Sequence, residues 1–213
     1  MNVPGPQPAG CHAAARDDLW SRPRFPLAAY LGLGANQGDR LGQLRRALFA
    51  LLTHPELRVK RVSPVYETEH VGFEVQPPHL NACAAVETSL APRVLLAVLK
   101  STEQRLGRRP HSHLAPRPID LDILVYGDRI LHSDALTVPH PRLAEREFVL
   151  RPLADVAPRL VLPDRGETVT VACARITDRG GPWVRLHEGH PLLPDGPGGA
   201  EEDWRASLAV HCR

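Results

Sequence analysis

The alternation of strand-like and helix-like apolar patterns over residues 27–126 constrains the fold of this chain more than any other feature. Apolar residues recur with the two-residue period of strands in some segments and with the 3.6-residue period of helices in others. The predicted elements are, in order, a strand over 27–34, a helix over 39–52, an ambiguous strand over 58–66, a strand over 80–90, a helix over 92–106 and a strand over 119–126. Pro92 and Gly107 support the bounds of the second helix, because proline suits a first helical turn and glycine the position after the last.

This strand-helix-strand-strand-helix-strand order is typical of the split β-α-β arrangement. We therefore predict an α+β fold with a ferredoxin-like antiparallel sheet, with the helices packed on one face and the other face open for a site. The predicted domain covers residues 27–165. Residues 1–26 hold five prolines and no apolar period, which predicts a flexible extension. Residues 166–213 form a C-terminal extension that is partly linker-like, since proline and glycine are frequent over 180–200.

Composition excludes several classes of protein. Hydrophobic residues at 43% and charged residues at 23% are typical of a globular chain. A net charge of +2 argues against binding to nucleic acid or an anionic membrane through bulk charge, and 5% aromatic residues disfavour a stacking platform for single strands. The four cysteines are widely spaced and form no Cys-x-x-Cys pair, so we expect reduced thiols in a cytoplasmic protein rather than a disulfide frame or a zinc site.

Two aspartates interrupt the last apolar strand, whose sequence over residues 118–125 is PIDLDILV. In a strand, Asp120 and Asp122 share one face with their Cα atoms roughly 6.5 Å apart, and the apolar residues share the other. Neighbouring carboxylates repel each other unless a cation lies between them, and oxygen ligands favour Mg²⁺. The alternative is a solvated pair on an edge strand. The apolar surroundings favour metal binding.

Positive charge is concentrated just before this strand. Residues 100–117 contain five basic residues against one acidic residue, and in the whole chain all basic residues except Lys60 and Lys100 are arginines. Arginine forks match phosphate oxygens, and with a carboxylate-held Mg²⁺ they supply the positioning and charge neutralisation that phosphoryl transfer needs. Three prolines predict a loop that can close over a nucleotide. A solvated basic loop with codon-biased arginines is the alternative, and it suits Arg105 and Arg109 better than Arg108 and Arg117.

Glycines between residues 32 and 38 (GLGANQG) invite a nucleotide-loop interpretation, because they follow a strand and precede a helix. The segment lacks the Gly-Lys-Ser/Thr of a P-loop, and Gln37 occupies the third glycine position of a dinucleotide fingerprint. We therefore interpret it as a structural turn.

Taken together, these motifs resemble those of the 6-hydroxymethyl-7,8-dihydropterin pyrophosphokinase family of folate biosynthesis. The most specific of them are PRxxDLDIL at residues 116–124 and LTVPHP at residues 136–141. Weaker similarities, in the same order as in the family, lie at residues 30–36, 63–68, 80–82 and 146–153. The resemblance covers about residues 27–165 and leaves the two extensions outside it.

The resemblance implies a Mg²⁺-dependent diphosphotransferase that converts ATP and 6-hydroxymethyl-7,8-dihydropterin to AMP and the pterin diphosphate. It implies two Mg²⁺ ions held by Asp120 and Asp122, and catalytic roles for Arg108 and Arg117 on the phosphates. The positions that match ATP-binding residues of the family are Glu103, Arg108, Arg117, Ile123, Thr137 and His140. The positions that match pterin-binding residues are Thr68, Val71, His79, Asn81, Asp120 and Phe148. Arg146 matches a further basic residue near the site. We expect a monomer with small-molecule partners, without nucleic acid and without a membrane.

Some positions depart from the family pattern. Pro110 and the segment 113–115 replace arginine and tryptophan in the catalytic loop, which bears on loop closure rather than on the type of reaction. His79 stands where a larger aromatic ring normally stacks on the pterin, and Ala35 replaces a serine. The alternative function is a non-catalytic ferredoxin-like binding module for RNA or a small ligand, although such a module has no need of paired aspartates.

Overall fold

The computed structural model describes residues 22–23, 26–70, 76–109, 116–188 and 192. The strands are β1 (Leu27–Ala35), β2 (Leu57–Val62), β3 (Tyr66–Thr68), β4 (His79–Thr88), β5 (Asp120–Tyr126), β6 (Leu131–His132), β7 (Thr137–Val138) and β8 (Val184–Leu186). The α-helices are α1 (Arg40–Leu52), α2 (Pro92–Arg105), α3 (Glu147–Val156) and α4 (Val169–Asp178), and a 3-10 turn spans Leu143–Glu145. The described residues thus form a mixed α+β structure, which confirms the predicted class.

The strands β5, β1 and β4 form the centre of an antiparallel sheet. Both β2 and β3 pair with the far edge of β4, and β8 adds a strand outside β3. The ambiguous strand predicted over residues 58–66 is therefore two strands, which Ser63 separates. The Ser63 N–H donates to the Cys83 carbonyl at 2.9 Å, but the Cys83 N–H donates to the Ser63 hydroxyl, also at 2.9 Å, so a side chain supplies one half of the pairing at this position.

Both predicted helices pack on one face of the sheet. Asp39 caps α1 by accepting a hydrogen bond from the Gly42 backbone N–H at 2.9 Å, as expected for an N-cap aspartate. The leucines of α1 and α2 join the inward residues of β1, β4 and β5 in a single buried cluster. The largest fully buried members of that cluster are Tyr126, Leu31, Leu33, Leu44, Leu48, Leu51, Leu80, Leu95, Leu99, Ile119 and Leu121.

The opposite face is partly covered, so the prediction that the helices lie on one face only is wrong. Cys83, Leu124 and Val125 are buried there in a second cluster, together with apolar residues of α3 and α4 such as Leu150 and Val169. These two helices follow residue 126, beyond the segment in which helical periods were recognised. Asp120, Gly34 and Asn81 lie on the same face of the sheet but are not members of this second cluster.

The segment assigned to a C-terminal extension includes packed structure. Helix α4 contacts α3, and β8 lies within the stretch over 180–200 that was interpreted as linker. Two of the four cysteines, Cys83 and Cys173, are free thiols, while Cys11 and Cys212 lie outside the described residues. Within the described ranges, no helix has both the length and the apolar character that crossing a membrane requires.

Candidate active site

Polar side chains of three strands meet on the face opposite α1 and α2. Gly34 of β1 lies between Asp120 of β5 and Asn81 of β4 in the strand register. A Cβ atom at Gly34 would lie 3.3 Å from the Asn81 Oδ1 and 4.0 Å from the Asp120 Cβ. Because glycine has no side chain, the space between the carboxylate and the amide stays free for a ligand to approach the backbone of β1.

The two aspartates of β5 share this face, as the alternation predicted. Leu121 between them is buried in the cluster under α1 and α2, whereas Asp120 and Asp122 are partly exposed. Asp122 lies directly opposite Gly32, so a second position without a side chain borders the pair. The glycines interpreted as a structural turn are thus divided: Gly32 and Gly34 belong to β1 beside the site, and Gly38 lies in the turn before α1.

The donor set of the pair fits Mg²⁺. The described residues contain no cluster of three or more His, Cys, Asp or Glu side chains that would hold an ion alone. Two carboxylates from one strand, one of them 40% exposed, leave the remaining coordination positions to water or to a ligand. This combination is what Mg²⁺ takes in nucleotide sites, where phosphates complete the octahedron.

Three cations from the basic stretch surround the aspartates. Arg108 Nη1 contacts Asp120 Oδ1, Arg117 Nη1 lies 2.6 Å from Asp120 Oδ2, and Lys100 Nζ lies 3.5 Å from Asp122 Oδ1. Burial opposes ionisation of Asp120, but Arg117, Arg108 and Lys100 outweigh it and hold the pKa of this carboxyl below its ordinary value. The Asp120 carboxylate is therefore ionised at neutral pH.

Glu103 connects this charge cluster to the sheet. Its side chain is 3% exposed, and Oε1 accepts hydrogen bonds from the Leu121 backbone N–H and from Lys100 Nζ, each at 2.7 Å. The other oxygen lies 2.8 Å from Arg108 Nη1. Burial raises the pKa of Glu103 above its ordinary value, although Lys100 and Arg108 act against that shift. Glu103, which is predicted to contact ATP, thus also links α2 to β5 and holds Lys100 and Arg108 in place.

We expect Glu103→Gln to lower the free energy of unfolding by about 1–2 kcal/mol. The amide keeps the shape of the side chain and one acceptor oxygen, but its NH2 group cannot accept from Lys100 or Arg108 and leaves buried donors facing each other. Urea unfolding of the wild type and the variant at pH 7 measures the difference. Glu145→Gln, at an exposed carboxylate, serves as the matched control and is expected to change stability by less than about 0.5 kcal/mol. Equal stability of Glu103→Gln and wild type would contradict the assignment.

Lys100 and Asn36 belong to the site although neither is among the residues predicted from the sequence. Lys100 was counted in the basic stretch without a role, yet its ammonium also donates to the Leu121 carbonyl at 2.8 Å. Its position three residues before Glu103, one helical turn, is the signal that was available. Asn36 is 2% exposed, and its Oδ1 accepts from the Arg117 backbone N–H at 2.7 Å while its amide donates to Gln76 Oε1 at 2.9 Å. It thereby holds the backbone that carries Arg117.

The predicted pterin-binding residues of β3 and β4 lie together. Thr68 and Asn81 are buried, and the Asn81 amide donates to the Thr68 hydroxyl at 2.8 Å. His79 lies two residues before Asn81, and its ring stacks on that of His70 with centroids 5.3 Å apart and planes 16° apart. Val71 lies outside the described residues, as do Pro110 and residues 113–115 of the basic loop.

His79 gives a pH dependence of known sign. Burial, with smaller contributions from His70 and Arg117, lowers the pKa of His79 to about 4. An unfolded histidine titrates near about 6.5, so between these values the unfolded chain binds a proton that the folded chain does not. The free energy of unfolding therefore falls as the pH falls from about 6.5 towards about 4, and it is fully retained above that window. Burial also lowers the pKa of His140, which acts in the same direction.

We expect His79→Phe to reduce the loss of stability between pH 7 and pH 5 by about 1 kcal/mol, allowing for solvent screening of a partly exposed ring. Urea unfolding at the two pH values measures this loss. His132→Phe, at an exposed histidine of β6, is the control and should leave the pH dependence as in the wild type. The same loss in His79→Phe as in the wild type would refute the role of His79.

The remaining predicted residues lie around the other end of β5. The His140 backbone N–H donates to the Leu124 carbonyl at 2.8 Å, which places the Val-Pro-His-Pro segment beside this strand. The charged groups that act on the pKa of His140 include Asp122 and Arg146. The Arg146 guanidinium carbon lies 5.4 Å from the centroid of the Phe148 ring. Thr137 is partly exposed on β7.

Ile123 differs from the other predicted ATP-binding residues. Its side chain is 2% exposed and belongs to the cluster under α1 and α2, on the opposite face of β5 from the aspartates. Strand alternation requires this position, because Asp122 and Ile123 are consecutive. Ile123 stays a predicted ATP-binding position, and in this structure its side chain packs in the core.

Comparison with known proteins identifies the family of this chain. Residues 30–158 match the family described as 7,8-dihydro-6-hydroxymethylpterin-pyrophosphokinase (HPPK). The chain belongs to the HPPK family. The matched residues include all of β3, β4, α2, β5 and α3, so they contain every charged side chain of the site described above.

Several relatives are about two fifths identical to this chain over the aligned residues. A protein named 2-amino-4-hydroxy-6-hydroxymethyldihydropteridine pyrophosphokinase from Bacillus subtilis is 44% identical over 128 residues, which cover 60% of this chain and 77% of the relative. The protein of that name from Methylorubrum extorquens is 42% identical over 71% of this chain and 95% of its own length. A folic acid synthesis protein of Schizosaccharomyces pombe is 42% identical over 75% of this chain, which spans only 21% of that relative.

Solved structures agree at the level of the fold. A crystal structure of Plasmodium falciparum HPPK-DHPS superposes with a TM-score of 0.60 at 15% sequence identity, covering 77% of this chain and 46% of that chain. The chain thus spans about half the length of that structure. The likeness bears on the arrangement of helices and strands alone.

Proposed function

We propose that this protein transfers a diphosphoryl group from ATP to 6-hydroxymethyl-7,8-dihydropterin, which yields AMP and the pterin diphosphate. The names of the bacterial relatives supply the substrate class. The observation that carries the proposal for this chain is the convergence of Asp120 and Asp122 with Lys100, Arg108 and Arg117 on one open face of the sheet. Paired carboxylates and forked cations are the parts that phosphoryl transfer requires.

On the nucleotide side, Asp120 and Asp122 would hold Mg²⁺, with two ions expected. Bound Mg²⁺ supplies charge neutralisation on the phosphates and alignment of the attacking and leaving oxygens. Arg108 and Arg117 would bind phosphate oxygens through their guanidinium forks, which fit them better than an ammonium does. Both forks contact Asp120, so their charges lie beside a carboxylate that would hold the metal. Glu103, Thr137, His140 and the backbone of Ile123 would complete the ATP site.

On the pterin side, Asn81 would pair with the amide edge of the ring, and Thr68 would position the Asn81 side chain through their hydrogen bond. His79 and Phe148 would stack on the two faces of the ring, with Val71 lining the pocket and Asp120 reaching the pterin as well as the metal. Gly34 would leave room for the ring over β1. The hydroxymethyl oxygen of the pterin would then attack the β-phosphorus of ATP.

We also propose the finer fold and cellular assignments. The strand order β5-β1-β4-β2, with α1 and α2 on one face, supports a ferredoxin-like core within a domain over residues 27–165. The free thiols of Cys83 and Cys173 support a reducing, cytoplasmic compartment. The enzyme would act as a monomer on small molecules, without nucleic acid or a membrane.

Product analysis tests the proposal. The protein is incubated with Mg²⁺, ATP and the dihydropterin, and the nucleotides are separated by ion-exchange chromatography. We expect AMP in equal amount to the pterin diphosphate, and no AMP when EDTA replaces Mg²⁺. ADP as the nucleotide product would overturn the reaction type. RNA binding in EDTA without any cleavage of ATP would favour a non-catalytic binding module instead.

A further inference from the structure

Strand β8 covers the outer edge of β3. Thr68 lies opposite Val184, and Tyr66 lies opposite Leu186. Two further backbone bonds extend the pairing, from the Glu69 N–H to the Trp183 carbonyl at 3.2 Å and from the His187 N–H to the Val65 carbonyl at 2.9 Å. Strand β8 lies beyond residue 158, where the match to the HPPK family ends.

Arg185 of β8 begins a chain of charges that crosses β3. Its guanidinium lies over the Trp183 ring at 4.7 Å and donates to Glu67 Oε2 through Nη2 at 2.5 Å and Nε at 3.1 Å. The other Glu67 oxygen lies 3.1 Å from Arg40 Nη1. The Glu67 side chain is only 12% exposed, and the hydrogen bond from Arg185 is the main cause of the lowered pKa of this carboxyl.

This chain of charges reaches both ends of the segment that connects β3 to β4. At its start, the Glu69 backbone N–H donates to the carbonyl of Trp183, the residue immediately before β8, whose ring lies under the Arg185 guanidinium. At its end, Arg40 Nη1 donates to the Pro78 carbonyl at 2.6 Å, immediately before His79. Thr68 and His79, the two residues that border the segment, are both assigned to the pterin side of the site.

Strand β3 has three residues, and on its inner edge it pairs with β4 at Asn81, Leu80 and His79. Without β8 it would be a short edge strand with unpaired backbone groups, and such strands open readily. The Thr68 hydroxyl that receives the Asn81 amide would then lose its fixed position. Strand β8 therefore helps to fix the position of Thr68 and, through it, of Asn81, although β8 lies outside the residues that match the HPPK family.

We propose that Arg185 is a positioning residue for the pterin, and that it acts through Glu67 to hold β3 and both ends of the segment between β3 and β4. The inference rests on the proposed function, since it concerns the pterin side of that site. The ATP side, built from α2 and β5, has no contact with β8 among the interactions described above. The expected consequence is a selective effect on one of the two substrates.

We expect Arg185→Ala to raise the KM for the dihydropterin about threefold to tenfold, with the KM for ATP and kcat at saturating pterin changed less than about twofold. Arg185→Lys should restore part of the loss, because an ammonium keeps the charge but not the fork. His187→Pro removes the backbone bond to Val65 without altering the Arg185 side chain, and it should raise the same KM. Binding of the oxidised pterin in the presence of α,β-methylene-ATP, followed by fluorescence, measures affinity without turnover.

Arg175→Ala is the matched control. Its guanidinium lies 2.7 Å from Glu167, also beyond residue 158, and its side chain is 34% exposed against 68% for Arg185. This pair joins α4 to the loop before it rather than to β3. Hydrogen exchange of the Tyr66–Thr68 amides gives a second readout, and both Arg185→Ala and His187→Pro should accelerate it. An unchanged pterin KM with faster exchange would overturn the inference, as would equal increases of both KM values. If the wild type forms no AMP, the proposed function is refuted. The binding measurement is independent of turnover, so unchanged pterin affinity in Arg185→Ala and His187→Pro would still refute the role of Arg185.

Discussion

Replacing Asp122 by alanine is expected to lower kcat at least about a thousandfold, equivalent to about 4 kcal/mol of transition-state stabilisation. The change removes one of the two carboxylates that would hold Mg²⁺ against the phosphates. Asp122 is the better residue for this test, because its nearest cation is Lys100 at 3.5 Å, whereas Asp120 contacts both Arg108 and Arg117. Loss of folding is therefore less of a concern at Asp122.

AMP formation measured across a Mg²⁺ titration is the readout for this variant. Asp122→Asn keeps the size of the side chain and should lose nearly as much activity, since an amide is a weaker metal ligand than a carboxylate. Asp128→Asn, at an exposed aspartate in the turn after β5, is the control and should retain wild-type activity. Turnover of Asp122→Ala within tenfold of the wild type would remove Asp122 from the metal site.

Replacing Arg117 by alanine is expected to lower kcat about a hundredfold to a thousandfold. Its guanidinium, 2.6 Å from Asp120 Oδ2, would neutralise charge that develops on the phosphates, and loss of one such donor typically costs this much. The backbone of residue 117 is held by Asn36 through its N–H and its carbonyl, so the variant keeps the local chain path. The effect is therefore expected in catalysis more than in stability.

Steady-state kinetics with varied ATP separates the two parameters for Arg117. Arg117→Lys should recover less than about a tenth of wild-type activity, because a single ammonium cannot replace a bidentate fork. Arg165→Ala changes an exposed arginine that pairs with Asp164 in the turn before α4, and it should behave as the wild type. If Arg117→Ala raised only the KM for ATP at constant kcat, the residue would bind the ground state without a catalytic role.

The segments with strong periodicity could be predicted from the sequence. The leucines of α1 and α2 repeat at helical spacing because one side of each helix is buried. Burial in β5 alternates over residues 120–123, where one face is core and the other is the site, whereas Leu124 and Val125 are both buried in the second cluster. The Asp120 and Asp122 pair was visible for the same reason. A charged residue that alternates with buried ones has its face determined by local geometry alone.

The parts that the sequence did not predict depend on contacts between distant segments. The helix α3 contains Pro152 and contacts β4, which lies more than 50 residues earlier in the chain. Strand β8 has three residues in a segment rich in proline and glycine, so its pairing partner, and not its own propensity, makes it a strand. Asn36 has no pattern of its own, and its role follows from the position of Arg117 against it.

The sequence by itself determined the α+β class, the two helices under the sheet and the shared face of Asp120 and Asp122, because each is written in the spacing of neighbouring residues. Only the tertiary structure decided which charges meet. Lys100, Glu103, Arg108 and Asp120 come from a helix, a loop and a strand, and their contacts exist because α2 packs on β5. The same reason applies to Arg185 and Glu67, which are 118 residues apart and meet only where β8 pairs with β3.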